Sequence, residues 1–208
     1  MLVEKSLLEV LEAFASSDPT PGGGSAAALA AATGLSLLRM VAALPRTRTG
    51  SDEERRALTE AATILTKSAR ATTDAIDQDA AAYQAVVAAY KLPKTSDELK
   101  QARNAAIQRA LGGATEAPLA VMRLSAEGLD SAVVVASNGH RAAASDVGVA
   151  LALLRAAIEG AALNVEANLG GMTDQGYVAR TRSDATAWRD RAARAIEGAT
   201  AYLAGGAD

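Results

Sequence analysis

From Ser51 to Tyr90 neither glycine nor proline interrupts a pattern of helical period. A helix of that extent is a rod about 60 Å long. Such a rod is stable only with neighbours along much of its surface, so it predicts the spine of a helical bundle, part of it available for contact between copies. Ser51-Asp52-Glu53-Glu54 supplies the opening, with a serine followed three residues later by a glutamate in a capping box. Half of the 208 residues are apolar, which is enough for a sizeable core, but aromatic residues make up only 3%. Alanine fills the difference, and that favours helices whose backbones approach closely over a core packed with rings. The expectation is an all-α protein: one domain over residues 1–208, built as a bundle of long antiparallel helices, with no strand.

The remaining punctuation divides the chain. Ser6-Leu7-Leu8-Glu9 is another capping box and opens a helix to about Ala15, with Leu7, Leu8 and Leu11 on one side. A second helix is expected from Ser25 to Leu44, where Pro45 ends it and a polar, exposed loop carrying Arg46, Arg48 and Gly50 begins. After the spine, Leu92-Pro93 stops the helix and Thr95-Ser96-Asp97-Glu98 restarts it with a third capping box. The stretch that follows runs to about Val135, bent or divided by Gly112-Gly113 and Pro118, before a turn at Ser137-Asn138-Gly139. A helix from about Ala142 to Leu169 ends at Gly170-Gly171, and Thr173 or Asp174 opens the last one, which runs through Ala204. Only the tail at Gly205-Gly206 reads as loose.

Several function classes are disfavoured. The chain has no cysteine and one histidine, His140, so neither a thiolate nor a histidine-cluster metal site is expected. A net charge of −3, with basic residues scattered along the chain, argues against nucleic acid as a partner. Glu4, Glu9 and Glu12 interrupt the apolar residues of the N-terminus, so no secretory signal is read and the cytoplasm is the default compartment. The least polar stretch, Ala26 to Leu38, is short for a membrane span, rich in Ala, Thr and Ser, and ended by Arg39; it reads as a buried helix.

Chemistry is suggested at three places. Asp18-Pro19-Thr20-Pro21-Gly22-Gly23-Gly24-Ser25 concentrates backbone freedom at a helix entrance that Ser25 can cap. Such an entrance is either a tight connection between packed helices or a place where backbone amides hold an anionic or carbonyl-bearing group. It is not a Walker A loop, since no Gly-Lys-Ser/Thr follows. On the spine, Asp77 falls on a polar stripe with Arg70, Asp74 and Gln84 and reads as a solvated charge. Asp79 falls instead with Ile76, Tyr83, Val86 and Tyr90, and a carboxylate in apolar surroundings must be paired, hydrogen-bonded or raised in pKa. It therefore stands as either a structural ion pair or a proton-transferring group. The third place is the helix after the Asn138-Gly139 turn, with Asp146 near its start and Asn164 and Asn168 near its end. The rise of about 27 Å between Asp146 and Asn164 rules out a shared small ligand unless another subunit or a bend intervenes. The two amides need partners, either a neighbouring helix or a heteroaromatic ligand. His140 reads as an ordinary loop residue.

Taken in order, Pro-Thr-Pro-Gly-Gly-Gly-Ser at 19 to 25, Asp77-Gln78-Asp79-Ala80 with Tyr83, Lys91-Leu92-Pro93-Lys94, Ser145-Asp146, and Ala162-Leu163-Asn164-Val165 with Asn168-Leu169 resemble the formiminotransferase-cyclodeaminase family. The resemblance runs from about Leu7 to Val178. It implies an all-α homodimer that acts on one-carbon tetrahydrofolates, either hydrolysing the 5,10-methenyl form or closing the 5-formimino form with release of ammonia. The chain's length resembles that of the standalone methenyltetrahydrofolate cyclohydrolases, a length that separate cyclodeaminases share. A folate-binding helical scaffold without catalysis is the rival reading, because Gly139-His140 stands where the family often has Gly-Asn, and Ala43-Leu44-Pro45 with Arg46 and Arg48 stands where it often has Asn-Leu-Thr and a lysine-rich segment. Asp79 matches the family's proton-handling aspartate. By the same resemblance Gly22, Gly23, Gly24, Ser25 and Tyr83 belong to the substrate site, with Asp146 and Asn164 as further candidates. The tetrahydrofolate is a substrate, and no metal or redox cofactor is expected. Arg46 and Arg48 are expected to border the site, since the glutamate tail of a folate needs cationic partners.

Overall fold

The computed structural model describes residues 1–205, so the expectation for Gly206 lies outside the described residues. Six α-helices follow one another: α1 (Leu7–Ala15), α2 (Gly23–Ala42), α3 (Asp52–Tyr90), α4 (Asp97–Asn138), α5 (Ala144–Leu169) and α6 (Gln175–Ala204). Two single 3₁₀ turns, Leu2–Glu4 and Arg141–Ala143, complete the regular structure of the described residues. The fold is all-α, and its only β-type pairing among the described residues is an isolated bridge between Thr47 and Gly139.

Helices α3 and α4 form a long antiparallel hairpin. α2 lies against α3, α4 and α5, and α6 packs on α4 and α5. By length and composition α2 resembles a membrane span, yet Ala28, Ala31, Leu35 and Leu38 are fully buried in the middle of the core. Small residues make that burial possible. A Cβ on Gly34 would stand 2.9 Å from Leu154 Cγ, and one on Gly128 only 2.1 Å from Leu35 Cδ2, so bare backbone lets α2 approach α5 and α4. This is the packing that an alanine-rich, aromatic-poor composition predicts.

Two of the three capping boxes form as read, at Ser6 with Glu9 and at Ser51 with Glu54. The third box does not form, and a one-sided cap takes its place one residue on. Ser96, not Thr95, caps α4 by accepting from Leu99 N–H, and its hydroxyl also holds the Glu98 carboxyl below its ordinary value. α4 is not divided either: it runs unbroken through Gly112, Gly113 and Pro118 to Asn138. α1 departs from its amphipathic reading. None of its residues is buried, and Leu7, Leu8 and Leu11 are 70%, 66% and 55% exposed.

The loop after α2 is clamped rather than loose. Glu54 accepts from the Thr47 hydroxyl at 2.6 Å and from the Thr49 and Gly50 amides. The Thr47 hydroxyl foremost, then the Thr49 amide, lowers the Glu54 carboxyl to about 2. Arg48 N–H also donates to Asn138 O at 2.8 Å, fastening the loop to the end of α4.

Candidate functional site

The entrance to α2 meets the middle of α3. Gly22 is the N-cap, so α2 begins before Ser25 and Ser25 is not its cap. Instead Ser25 is fully buried, and its hydroxyl faces two acceptors, Ile76 O at 2.9 Å and Asp79 Oδ2 at 3.0 Å. The glycines also act differently from the sequence expectation. None of Gly22, Gly23 and Gly24 has positive φ; what the segment requires is closeness. A Cβ on Gly24 would sit 2.0 Å from Asp79 Oδ1 and 2.5 Å from its Cγ, so the carboxylate lies directly against bare backbone in the first turn of α2. The N–H groups of such a turn carry positive partial charge, an environment that suits a carboxylate.

Asp79 is half-buried and forms no ion pair among the described residues. The stripe that was to bury it is partly open, with Tyr83 42% and Tyr90 48% exposed. The carboxylate therefore borders a cavity of about 230 Å³, lined also by Thr20, Gly22, Gly23, Tyr83, Asn164 and Asn168. Asn164 Nδ2 donates to Gly160 O within α5, and Asn168 Nδ2 crosses to Ala114 O on α4, both at 2.8 Å. Among the described residues neither side-chain carbonyl has a hydrogen-bond donor. Of the sequence-derived site, Gly22, Gly23, Gly24, Ser25, Asp79, Tyr83 and Asn164 thus come together. Thr20, Pro19 and Ala114 join them; the first two belong to the motif already singled out, whereas nothing local marks Ala114.

Asp77 is not a free surface charge. Its Oδ1 accepts from Leu2 N–H at 2.6 Å, tying the N-terminal segment to α3, and its Oδ2 is buried with no partner among the described residues. Three candidates lie elsewhere. Asp146 sits in the first turn of α5, eighteen residues before Asn164 and so about 27 Å along the axis. Arg46 and Arg48 follow the far end of α2, whose 20 residues put about 30 Å between them and the cavity. They line a separate cavity with Arg55, His140 and Arg141. Arg48 Nη2 donates to Ala136 O, and Arg55 donates to Ala42, Leu44 and Pro45 carbonyls. Such contacts satisfy carbonyls at helix ends, so within one protomer Arg48 serves the end of α4 and Arg55 the end of α2, and neither Arg46 nor Arg48 borders the glycine-lined cavity.

What this arrangement offers chemically is one carboxylate with a hydroxyl partner suited to either protonation state. The ionised form accepts a hydrogen bond from the Ser25 hydroxyl; the protonated form donates one to Ser25 Oγ while that hydroxyl turns to Ile76 O. Around it stand a phenol and two fixed amides, within reach of a small polar, planar group.

Comparison with known proteins gives the family and the fold. A profile described as formiminotransferase-cyclodeaminase matches residues 6–187. The chain is 42% identical over 170 residues to a methenyltetrahydrofolate cyclohydrolase of Methylorubrum extorquens, covering 80% of each. It is 32% identical over 181 residues to the formimidoyltransferase-cyclodeaminase of Sus scrofa, spanning 87% of this chain but only 34% of the pig protein. The fold superposes on the crystal structure of formiminotetrahydrofolate cyclodeaminase from Thermotoga maritima with a TM-score of 0.88, covering 99% of this chain and 98% of that one at 23% identity.

Proposed function

Because the chain belongs to the formiminotransferase-cyclodeaminase family, we propose that it is a one-carbon tetrahydrofolate enzyme that hydrolyses 5,10-methenyltetrahydrofolate to 10-formyltetrahydrofolate. The observation that carries this reading is the Asp79 carboxylate, pressed against Gly24 and hydrogen-bonded to Ser25 at the wall of the cavity. The hydrolase is preferred because the relative at 42% identity bears that name and matches over most of both chains.

In the proposed reaction Asp79 accepts a proton from water as the oxygen attacks the cationic carbon between N5 and N10. The tetrahedral adduct then collapses: the proton held on Asp79 passes to N5 as the carbon–N5 bond breaks, and the adduct hydroxyl loses its proton to solvent as the formyl carbonyl forms, so one proton is released per turnover and Asp79 is left ionised. Ser25 keeps the carboxyl hydrogen-bonded through both states. At about 230 Å³ the cavity holds the reacting end of the folate and leaves the glutamate tail outside. The scheme calls on no metal or redox cofactor, and the cytoplasm is the compartment that suits it.

A second reading keeps the same cavity: cyclodeamination of 5-formiminotetrahydrofolate, in which N10 attacks the formimino carbon and ammonia leaves. It is favoured by the likeness to proteins named for that activity. Purified protein given the methenyl substrate, with loss of its near-ultraviolet absorbance followed, and separately the formimino substrate, with ammonia followed, decides. Hydrolysis alone is the expected result. Ammonia release would transfer the assignment to the deaminase, and binding without turnover would leave a scaffold.

The reading includes a homodimer. The outward faces of α2 and α5 carry Met40, Val149 and Leu163 at 40%, 52% and 73% exposure, and α1 presents Leu7, Leu8 and Leu11. These exposed apolar side chains support a contact surface between copies. Light scattering should give twice the chain mass, and Val149→Asp should reduce it; a monomer at working concentration would remove the proposal.

A further inference from the structure

Ala114 O and Pro118 explain each other. In a helix the carbonyl of residue 114 accepts the N–H of residue 118, and proline has none. The proline ring also crowds that carbonyl and pushes it off the helix axis. Ala114 is buried, at 7% exposure, so its carbonyl cannot turn to bulk water without cost. The group that reaches it is Asn168, whose Nδ2 lies 2.8 Å away across the α4–α5 interface. Only the NH₂ end of an amide can meet a carbonyl, so this bond settles which end of Asn168 is engaged and which is left. Asn168 and Ala114 both line the cavity that holds Asp79.

We infer that Pro118 is a positioning residue for the site. Pro118 frees the Ala114 carbonyl so that α4 fixes the Asn168 amide, leaving its Oδ1 to accept a hydrogen bond from substrate. This rests on the folate reading for the identity of the substrate but not for the hydrogen bond itself. The folate ring system carries N–H donors on its pyrimidine portion, which are the groups a fixed amide oxygen would accept. The competing account runs in the opposite direction: Asn168 merely satisfies a carbonyl that Pro118 orphaned, and the pair is a structural repair.

The two accounts differ over Pro118→Ala, a change that restores the helix N–H and favours folding of α4. If the pair is a repair, the variant has no further need of Asn168, and activity should equal that of wild type. If Pro118 positions Asn168, the thermal midpoint should hold or rise while kcat/KM falls about tenfold, the usual scale for loosening one substrate contact. Asn168→Ala should show a similar or larger loss, and adding Pro118→Ala to it should cost nothing more, because the proline then has nothing to position. The Asn168 side-chain amide protons, followed by NMR, report the bond directly. In wild type one of them should be shifted and slow to exchange, and in Pro118→Ala both should move toward free-amide values. Unchanged kcat/KM in Pro118→Ala, or additive losses in the double variant, would overturn the inference. A wild type that neither turns over nor binds a tetrahydrofolate would instead remove the functional reading. The amide resonances would then decide alone: unchanged on Pro118→Ala, they overturn the positioning role.

Discussion

Asp79→Asn should fold, bind folate and lose turnover by roughly 10²- to 10⁴-fold, the scale of removing a general acid-base group. Asparagine has the same shape, and its carbonyl oxygen can still accept from the Ser25 hydroxyl now 3.0 Å away from the carboxylate. The contact with Gly24 is retained as well, so the substitution isolates the proton-transfer function from the packing. A structural ion pair would behave differently, since its loss would strand a buried cation and lower the melting temperature. No cation partners Asp79 among the described residues, and that account has nothing to act on. Asp77→Asn is the control two residues away. It touches the tie to Leu2 N–H and not the cavity, so turnover should change far less. Turnover, folate affinity and thermal midpoint measured on both variants decide the matter: a folded Asp79→Asn protein with near wild-type turnover would falsify the proton-transfer role.

The parts of this fold that could be read in sequence are those fixed by local chemistry. The boxes at Ser6 and Ser51 need only four neighbouring residues, and both form. At Thr95-Ser96 two adjacent hydroxyls compete for the cap, and spacing alone does not say that Ser96 wins. Of the two readings at Pro118, a bend or a division, the division does not occur for a tertiary reason: the Ala114 carbonyl left without its helix partner accepts from Asn168 of α5, and α4 continues. Asp79 was legible because a carboxylate interrupts an apolar stripe, although its partner, Ser25, was read as a cap. Arg46 and Arg48 illustrate the opposite error. Charge complementarity suggested a role at the folate site, but the length of α2, which the sequence also contains, carries them to the other end of the bundle.

The three consecutive glycines should separate sharply on replacement by alanine. Gly22 has φ −114° and ψ −161°, a conformation open to any residue, and a Cβ there would meet only Pro19 O at 3.7 Å. At Gly23 the nearest atom would be Asn164 Nδ2 at 3.4 Å, an ordinary contact. At Gly24 a Cβ would overlap Asp79 at 2.0 to 2.8 Å from three carboxylate atoms. Either the carboxylate must rotate away from Ser25 or α2 must withdraw from α3. The first displaces the group proposed to move the proton, and the second opens a core in which Ala27 and Ala28 are buried a turn further on. Gly24→Ala should therefore lower turnover by about 10²-fold, as small misplacements of a reacting group do, and cost roughly 1–3 kcal/mol of stability, typical of overpacking. Gly22→Ala and Gly23→Ala should stay within a few-fold of wild type in turnover. A double variant tests the cause. In an Asp79→Ala background the overlapping atoms are gone, so Gly24→Ala should no longer lower the melting temperature. Equal destabilisation with and without the carboxylate would mean that the glycine serves the backbone of α2 and not its contact with Asp79.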